Sequence, residues 1–186
     1  MRVFLDFEAS SLGDAGYPIE VGWIFENGVE ESHLICPSSD WTDWDEGAEA
    51  LHHIARATLL ASGEPPAKVA GRVLEALAPH TVYVSAPSWD GKWLSVLLRA
   101  GGFPRHAMRF RDSDEAMIEA AREGLAPAYP NETLEAAAAD LVEAARRAAH
   151  GRPVAHRALD DARQERDLWL EIRDKAAARG RQQSRT

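Results

Sequence analysis

Asp6 and Glu8 stand two residues apart in the run Arg2-Val3-Phe4-Leu5-Asp6-Phe7-Glu8, whose apolar members read as a core strand. On a strand, side chains two apart leave the same face with α-carbons roughly 6–7 Å apart, close enough to share one divalent cation or bridge two. A D-x-E pair also arises by chance among 30 acidic residues, where it marks a solvated or capped strand end. The setting favours a metal. Like charges at the end of an apolar strand call for a counter-charge, and Arg2 is the only nearby cation in sequence. Asp90 follows a second β-branched and aromatic run, Thr81 to Ser85, and opens a helical pattern carrying Trp93, Leu94, Leu97 and Leu98. Taken alone, it reads as a first-turn acid favoured by the helix dipole. His156 and Asp161 are five apart, which on one helix would turn them about 140° from each other at ~100° per residue. They converge only if His156 lies on the loop before the helix and Asp161 about one turn inside it. Asp160 is an adjacent candidate, but Asp161 shares a stripe with Gln164, Leu168 and Ile172.

The elements that must position these groups follow from periodicity and turn signals. Strands are expected over residues 2–7, 17–26 and 29–36, the last two joined by Asn27-Gly28, a dipeptide of tight hairpins in which both central residues take positive φ. An acidic, tryptophan-containing loop follows at 40–46, and Pro66 to Leu77 has helical spacing. The helix that starts near Trp89 stops at Gly101-Gly102. A short strand near Met108 to Arg111 leads into a helix opened by Ser113, and Asn131 caps an alanine-rich helix running to about His150. Gly151-Arg152-Pro153 breaks that helix, and a last one runs from about Arg157 into the 170s. Three strands followed by strands alternating with helices imply one mixed sheet covered by helices, an α/β domain over 1–175. Residues 176–186 read as a basic, solvated and disordered tail containing Arg179, Arg181 and Arg185, with a nucleic-acid-binding arm as the alternative.

Composition limits the function classes. With 186 residues, 45% hydrophobic and 27% charged, the chain suits one sizeable globular domain. Cys36 is the lone cysteine, so no intramolecular disulfide staples the fold, which suits a reducing, cytoplasmic setting. No apolar run approaches the ~20 residues of a membrane span, and the opening Met-Arg-Val-Phe-Leu-Asp lacks a signal-peptide pattern. The net charge of −9 argues against coating long nucleic acid through a broad basic face. Two divalent cations would bring it to −9 + 4 = −5 and place positive charge where a phosphate would go.

Taken together, the segments resemble the three motifs of the DEDDh 3′→5′ exonucleases, a DnaQ-like group that includes proofreading exonucleases, ribonuclease T and oligoribonuclease. The first motif matches Asp6-Phe7-Glu8-Ala9-Ser10-Ser11-Leu12, with the leucine in register. The second matches Val82-Tyr83-Val84-Ser85-Ala86-Pro87-Ser88-Trp89-Asp90. The third, His156-Arg157-Ala158-Leu159-Asp160-Asp161-Ala162, is the nearest match and selects Asp161 over Asp160. Leu51-His52-His53-Ile54 resembles the group's His-Gly-Ile segment. The resemblance spans roughly residues 2–172, with departures at Phe7, Ala9, Ala86 and Trp89, where the group more often has a small polar residue, Thr, Asn and Phe.

This resemblance implies a ribonuclease H-like fold, a five-stranded mixed sheet flanked by helices, and metal-dependent hydrolysis of phosphodiester bonds from the 3′ end. Asp6, Glu8, Asp90 and Asp161 would hold two Mg²⁺ or Mn²⁺ ions, and His156 would serve as general base. Leu12, Trp89 and Ala9 would meet the substrate, Leu12 as a wedge against the terminal bases; Trp89 reads equally as a stacking platform or as core. Single-stranded or short DNA or RNA 3′ ends are the expected partners, without a membrane; a homodimer is compatible. Two rivals remain at this stage, a catalytically silent binding module of the same fold and a proofreading subunit acting with a polymerase. Trp41 and Trp44 could form a lid or a packed surface loop, and His52-His53 could line the site or serve the loop. His33, His80, His106 and His150 share no ligand spacing.

Overall fold

The computed structural model describes residues 1–152 and 155–183, which divide into two compact units, 1–111 with 155–163 and 112–152 with 164–183. The first unit begins with the expected antiparallel meander: β1 (Arg2–Ala9), β2 (Pro18–Phe25) and β3 (Glu30–Leu34). Helices α1 (Glu46–His52), α2 (Arg56–Ser62) and α3 (Pro66–Leu77) follow, then β4 (Thr81–Val84) and α4 (Pro87–Ala100). With β5 (Arg111–Asp112), the strands form a five-stranded mixed sheet in the order β3-β2-β1-β4-β5, and β4 runs parallel to β1. No helix among the described residues is long and apolar enough to cross a membrane.

Strand alternation divides the sheet's faces. Val3, Leu5 and Phe7 of β1 pack with Val21, Trp23 and Phe25 of β2 against Val69, Val73 and Leu77 of α3 and Trp93, Leu94, Leu97 and Leu98 of α4. Asp6 and Glu8 therefore leave by the opposite face from the α3–α4 layer. Because β1 and β4 are parallel, their C-terminal ends lie at the same edge of the sheet. Glu8 is the next-to-last residue of the first strand there, and the first turn of α4 follows the second.

Local chemistry corrects several sequence expectations. At the β2–β3 hairpin only Gly28 is left-handed (φ 92°); Asn27 instead accepts the Val29 N–H on its side-chain oxygen at 3.1 Å. The turn thus uses one glycine where a two-residue hairpin would need two positive φ values. In the second unit, α5 (Ser113–Leu125) is capped by Asp112, in a capping box with Glu115, because the Asp112 carboxylate reaches the exposed N–H of Asp114. Ser113 is instead buried and donates its hydroxyl to Glu165 at 2.8 Å. Asn131 is the first residue of α6 (Asn131–Ala149) and makes no side-chain cap. Gly151 is left-handed (φ 85°) just after α6, while Pro153 and Val154 of the expected break lie outside the described residues. Helix α7 (Ala158–Gln183) continues past the point where a disordered tail was expected, and Ala176 is fully buried. A small, apolar residue at that position is a packing residue; Arg185 lies outside the described residues.

Candidate active site

Three of the five expected residues converge on one spot. One carboxylate oxygen each from Asp6, Glu8 and Asp161 lie within 4.8 Å of one another. Two come from β1 and the third from the first turn of α7, where the Asp161 N–H closes the turn on the Arg157 carbonyl at 3.0 Å. Asp161 Oδ1 is buried and has no hydrogen-bond partner. A buried, unpaired carboxylate oxygen costs free energy, so its chemistry calls for a cation.

Asp90 is 2% exposed in the first turn of α4. Its Oδ2 accepts the Ala86 N–H at 3.2 Å, and the Phe7 backbone N–H, between the two β1 acids, also donates to it. It lies outside the group of three, joined to it through the β1 backbone and the field it exerts on Glu8. His156 stands just ahead of α7 in a left-handed conformation (φ 49°), and its charge acts on Asp161. That conformation is uncommon for a residue with a Cβ and needs support from its surroundings.

Electrostatics describe a site short of positive charge. Burial and the neighbouring charges of Asp161, Glu20 and Asp90 push Glu8 up to about 8, against a partial lowering by Arg157. Burial pushes Asp90 up to about 7, opposed by its two backbone hydrogen bonds, and burial also raises Asp161. Several acids held at unfavourable ionisation, with one oxygen left unpaired, form a hard oxygen donor set suited to Mg²⁺ or Mn²⁺.

The rim is built by the β1–β2 loop. Ser10 and Ser11 are buried, the Ser11 hydroxyl donates to the Asp43 carboxylate, and the Asp45 N–H donates to the Ser10 carbonyl at 3.0 Å. From the other side Lys92 donates to the Gly13 carbonyl at 2.6 Å. Leu12, between these straps, is 68% exposed. Trp89, 40% exposed, stacks on Trp93 at 5.8 Å, and Lys92 lies 4.5–5.3 Å from the two ring centres. Trp41 stacks on Tyr17, and Trp44 donates its indole N–H to Glu49 at 2.6 Å, so both belong to a packed loop. His52 is buried; its Nδ1 accepts the Ile54 N–H at 3.0 Å, and burial lowers its pKa. His53 takes the left-handed position (φ 57°) after α1.

Glu20 and Lys92 were not expected at the site, and Asp43 and Arg157 had no role assigned from the sequence. For Glu20 a signal existed: it is the one acid in the strand Pro-Ile-Glu-Val-Gly-Trp-Ile-Phe, every residue of which is buried. An acid there must have a built-in partner.

No family model matches the chain, and no curated protein matches it. Solved structures do. The zinc-bound form of the Escherichia coli exonuclease I complex with single-stranded DNA superposes with a TM-score of 0.64 at 17% identity, over 97% of this chain and 42% of that one. The same enzyme in complex with a dA16 oligonucleotide gives 0.64 at 17% identity, over 95% and 42%. Its metal-free complex with single-stranded DNA gives 0.61 at 18% identity, over 95% and 41%. The chain thus spans about two fifths of the length of these exonuclease I chains. The likeness shows the fold: the chain has the ribonuclease H-like α/β architecture of exonuclease I, in line with the motif resemblance.

Proposed function

We propose that the protein is a divalent-metal-dependent nuclease that removes nucleotides from the 3′ end of single-stranded or short nucleic acid. The convergence of Asp6, Glu8 and Asp161 with an unpartnered, buried Asp161 oxygen carries this reading. The fold shared with exonuclease I, which was solved with single-stranded DNA, supports it.

Asp6, Glu8 and Asp161, backed by Asp90, are the residues that would hold two Mg²⁺ or Mn²⁺ ions, which when bound neutralise the scissile phosphate and acidify the attacking water. His156 takes the proton from that water at an imidazole nitrogen, the role a ring nitrogen with a free lone pair can fill as general base. The charges of Asp161 and His156 interact, which sets this acid close to the base. The water oxygen bonds to phosphorus, the P–O3′ bond breaks, and the leaving oxygen takes a proton from solvent. The products are a nucleoside 5′-monophosphate and a chain shortened by one residue, with a new 3′-hydroxyl. Leu12 and Trp89 present apolar surface to the terminal bases, and an unpaired base lies on an aromatic face more readily than a paired one. Ala9, expected to meet the substrate, instead packs its side chain against the apolar layer of α3 and α4.

The test is hydrolysis of matched single- and double-stranded DNA and RNA, 3′-labelled, with Mg²⁺, Mn²⁺ or chelator. Labelled 5′-monophosphates should appear only with metal. Asp161→Asn and His156→Ala should each lower kcat by about 100-fold or more while the fold is kept. Wild-type turnover by either variant, or undiminished activity in chelator, refutes the reading.

A further inference from the structure

Glu20 faces the candidate site from β2. The β1–β2 register sets it opposite Glu8 and sets Gly22 opposite Asp6. Glu20 is 1% exposed, and a carboxylate at that depth must have its lone pairs filled. Four donors fill them. Arg157 Nη2 donates to Oε1 at 2.6 Å and Arg157 Nε to Oε2 at 3.0 Å, a two-pronged pair. The Ala158 backbone N–H donates to Oε2 at 3.1 Å, and the Ser32 hydroxyl donates to Oε1 at 3.3 Å.

Three of the four come from the two residues that follow His156 and lead into the turn carrying Asp161. The Ala158 N–H is among those a helix leaves unpaired at its start, and here a strand on the sheet supplies the acceptor. Two residues along the same face, a Cβ at position 22 would lie 2.3 Å from the Leu159 nitrogen and 2.5 Å from its α-carbon. The first turn of α7 therefore rests on bare β2 backbone.

We propose that Glu20 and Arg157 are a positioning pair. They seat the first turn of α7 on β2 and so set His156 and Asp161 against Asp6 and Glu8. The pair also holds the left-handed backbone of His156, which immediately precedes Arg157. Glu20 is not a metal ligand, because its oxygens are taken by donors. The proposal rests on the metal-dependent reading of the site.

The test is Mn²⁺ binding by the full chain, followed by electron paramagnetic resonance, alongside steady-state kinetics on a 3′-labelled oligonucleotide. Wild type, Asp161→Asn, Glu20→Gln, Arg157→Lys and the last two combined are compared, with thermal melting as a check on folding. Arg157→Lys keeps the positive charge near Glu8 but loses the fork, and its side chain is 43% exposed, so it carries the test if Glu20→Gln does not fold. Both single variants should bind the same number of ions as wild type, with affinity about 10- to 100-fold weaker. kcat should fall with KM unchanged, and the double variant should lose little more than the worse single, as expected for partners in one interaction. Wild-type Mn²⁺ affinity and kcat in Arg157→Lys would overturn the pair as a geometric device. A smaller number of bound ions in Glu20→Gln would overturn it by making Glu20 a ligand. Absence of Mn²⁺ binding by the wild type would defeat the metal reading itself, and the proposal with it.

Discussion

At the scale of single residues, the site is defined by acids held at the wrong ionisation. Glu8 moves from 4.5 to about 8 and Asp90 from 3.8 to about 7, chiefly through burial. A carboxylate that binds its proton more tightly in the folded chain than in the unfolded one stabilises the fold below the unfolded value. That contribution is lost as pH rises through the folded value. The metal-free protein should therefore melt at progressively lower temperature between about pH 4 and pH 8. Added Mn²⁺ should raise the melting temperature more at pH 8 than at pH 6, because the ion competes with fewer protons. Melting curves at several pH values, with and without Mn²⁺, check both signs; a metal-induced rise that is flat with pH would contradict the prediction.

At the scale of elements, what the sequence revealed depended on whether a signal was local. The D-x-E pair and the His-to-Asp spacing are short-range, and both were legible together with the strand and helix that bear them. The register that puts Glu8 opposite Glu20 was not, because strand pairing is set by side chains distant in sequence. The same holds for Asp43, which reaches Ser11 from a loop 32 residues away. Helix ends shifted by one residue at Asp112, where adjacent polar residues compete for one cap, and at Asn131, where the cap position falls on Pro130. The β1–β2 loop gives a test at this scale. Asp43→Ala removes the strap on Ser11 without touching the carboxylate group, so KM for a single-stranded oligonucleotide should rise about fivefold, the worth of one hydrogen bond, with kcat kept. A drop in kcat with KM unchanged would place Asp43 in the chemistry instead.

At the scale of the molecule, the charge of −9 sets how the chain can meet a polyanion. Among the described residues, Arg72 pairs with Glu31 and Glu75, Arg163 with Glu30 and Asp160, and Arg146 with Asp114 and Glu165. These cations are engaged within the protein and are less available to displace counterions from a nucleic acid. With about two phosphates neutralised, raising salt from 50 to 200 mM should weaken single-strand binding by less than about tenfold, against about 10³–10⁵ for a protein making six to ten phosphate contacts. A steep salt dependence, measured by anisotropy in Ca²⁺ to hold catalysis back, would reveal a basic surface that this pairing pattern does not provide.

Trp89 offers a practical consequence. Its indole is 40% exposed, while Trp23, Trp93 and Trp169 are almost wholly shielded from solvent. Trp41 and Trp44 are partly buried, so Trp89 is the more exposed indole and sits next to Asp90 as a native optical sensor. An oligonucleotide laid across that ring should dim and shift the emission without any added dye, so occupancy can be followed in real time and separately from cleavage.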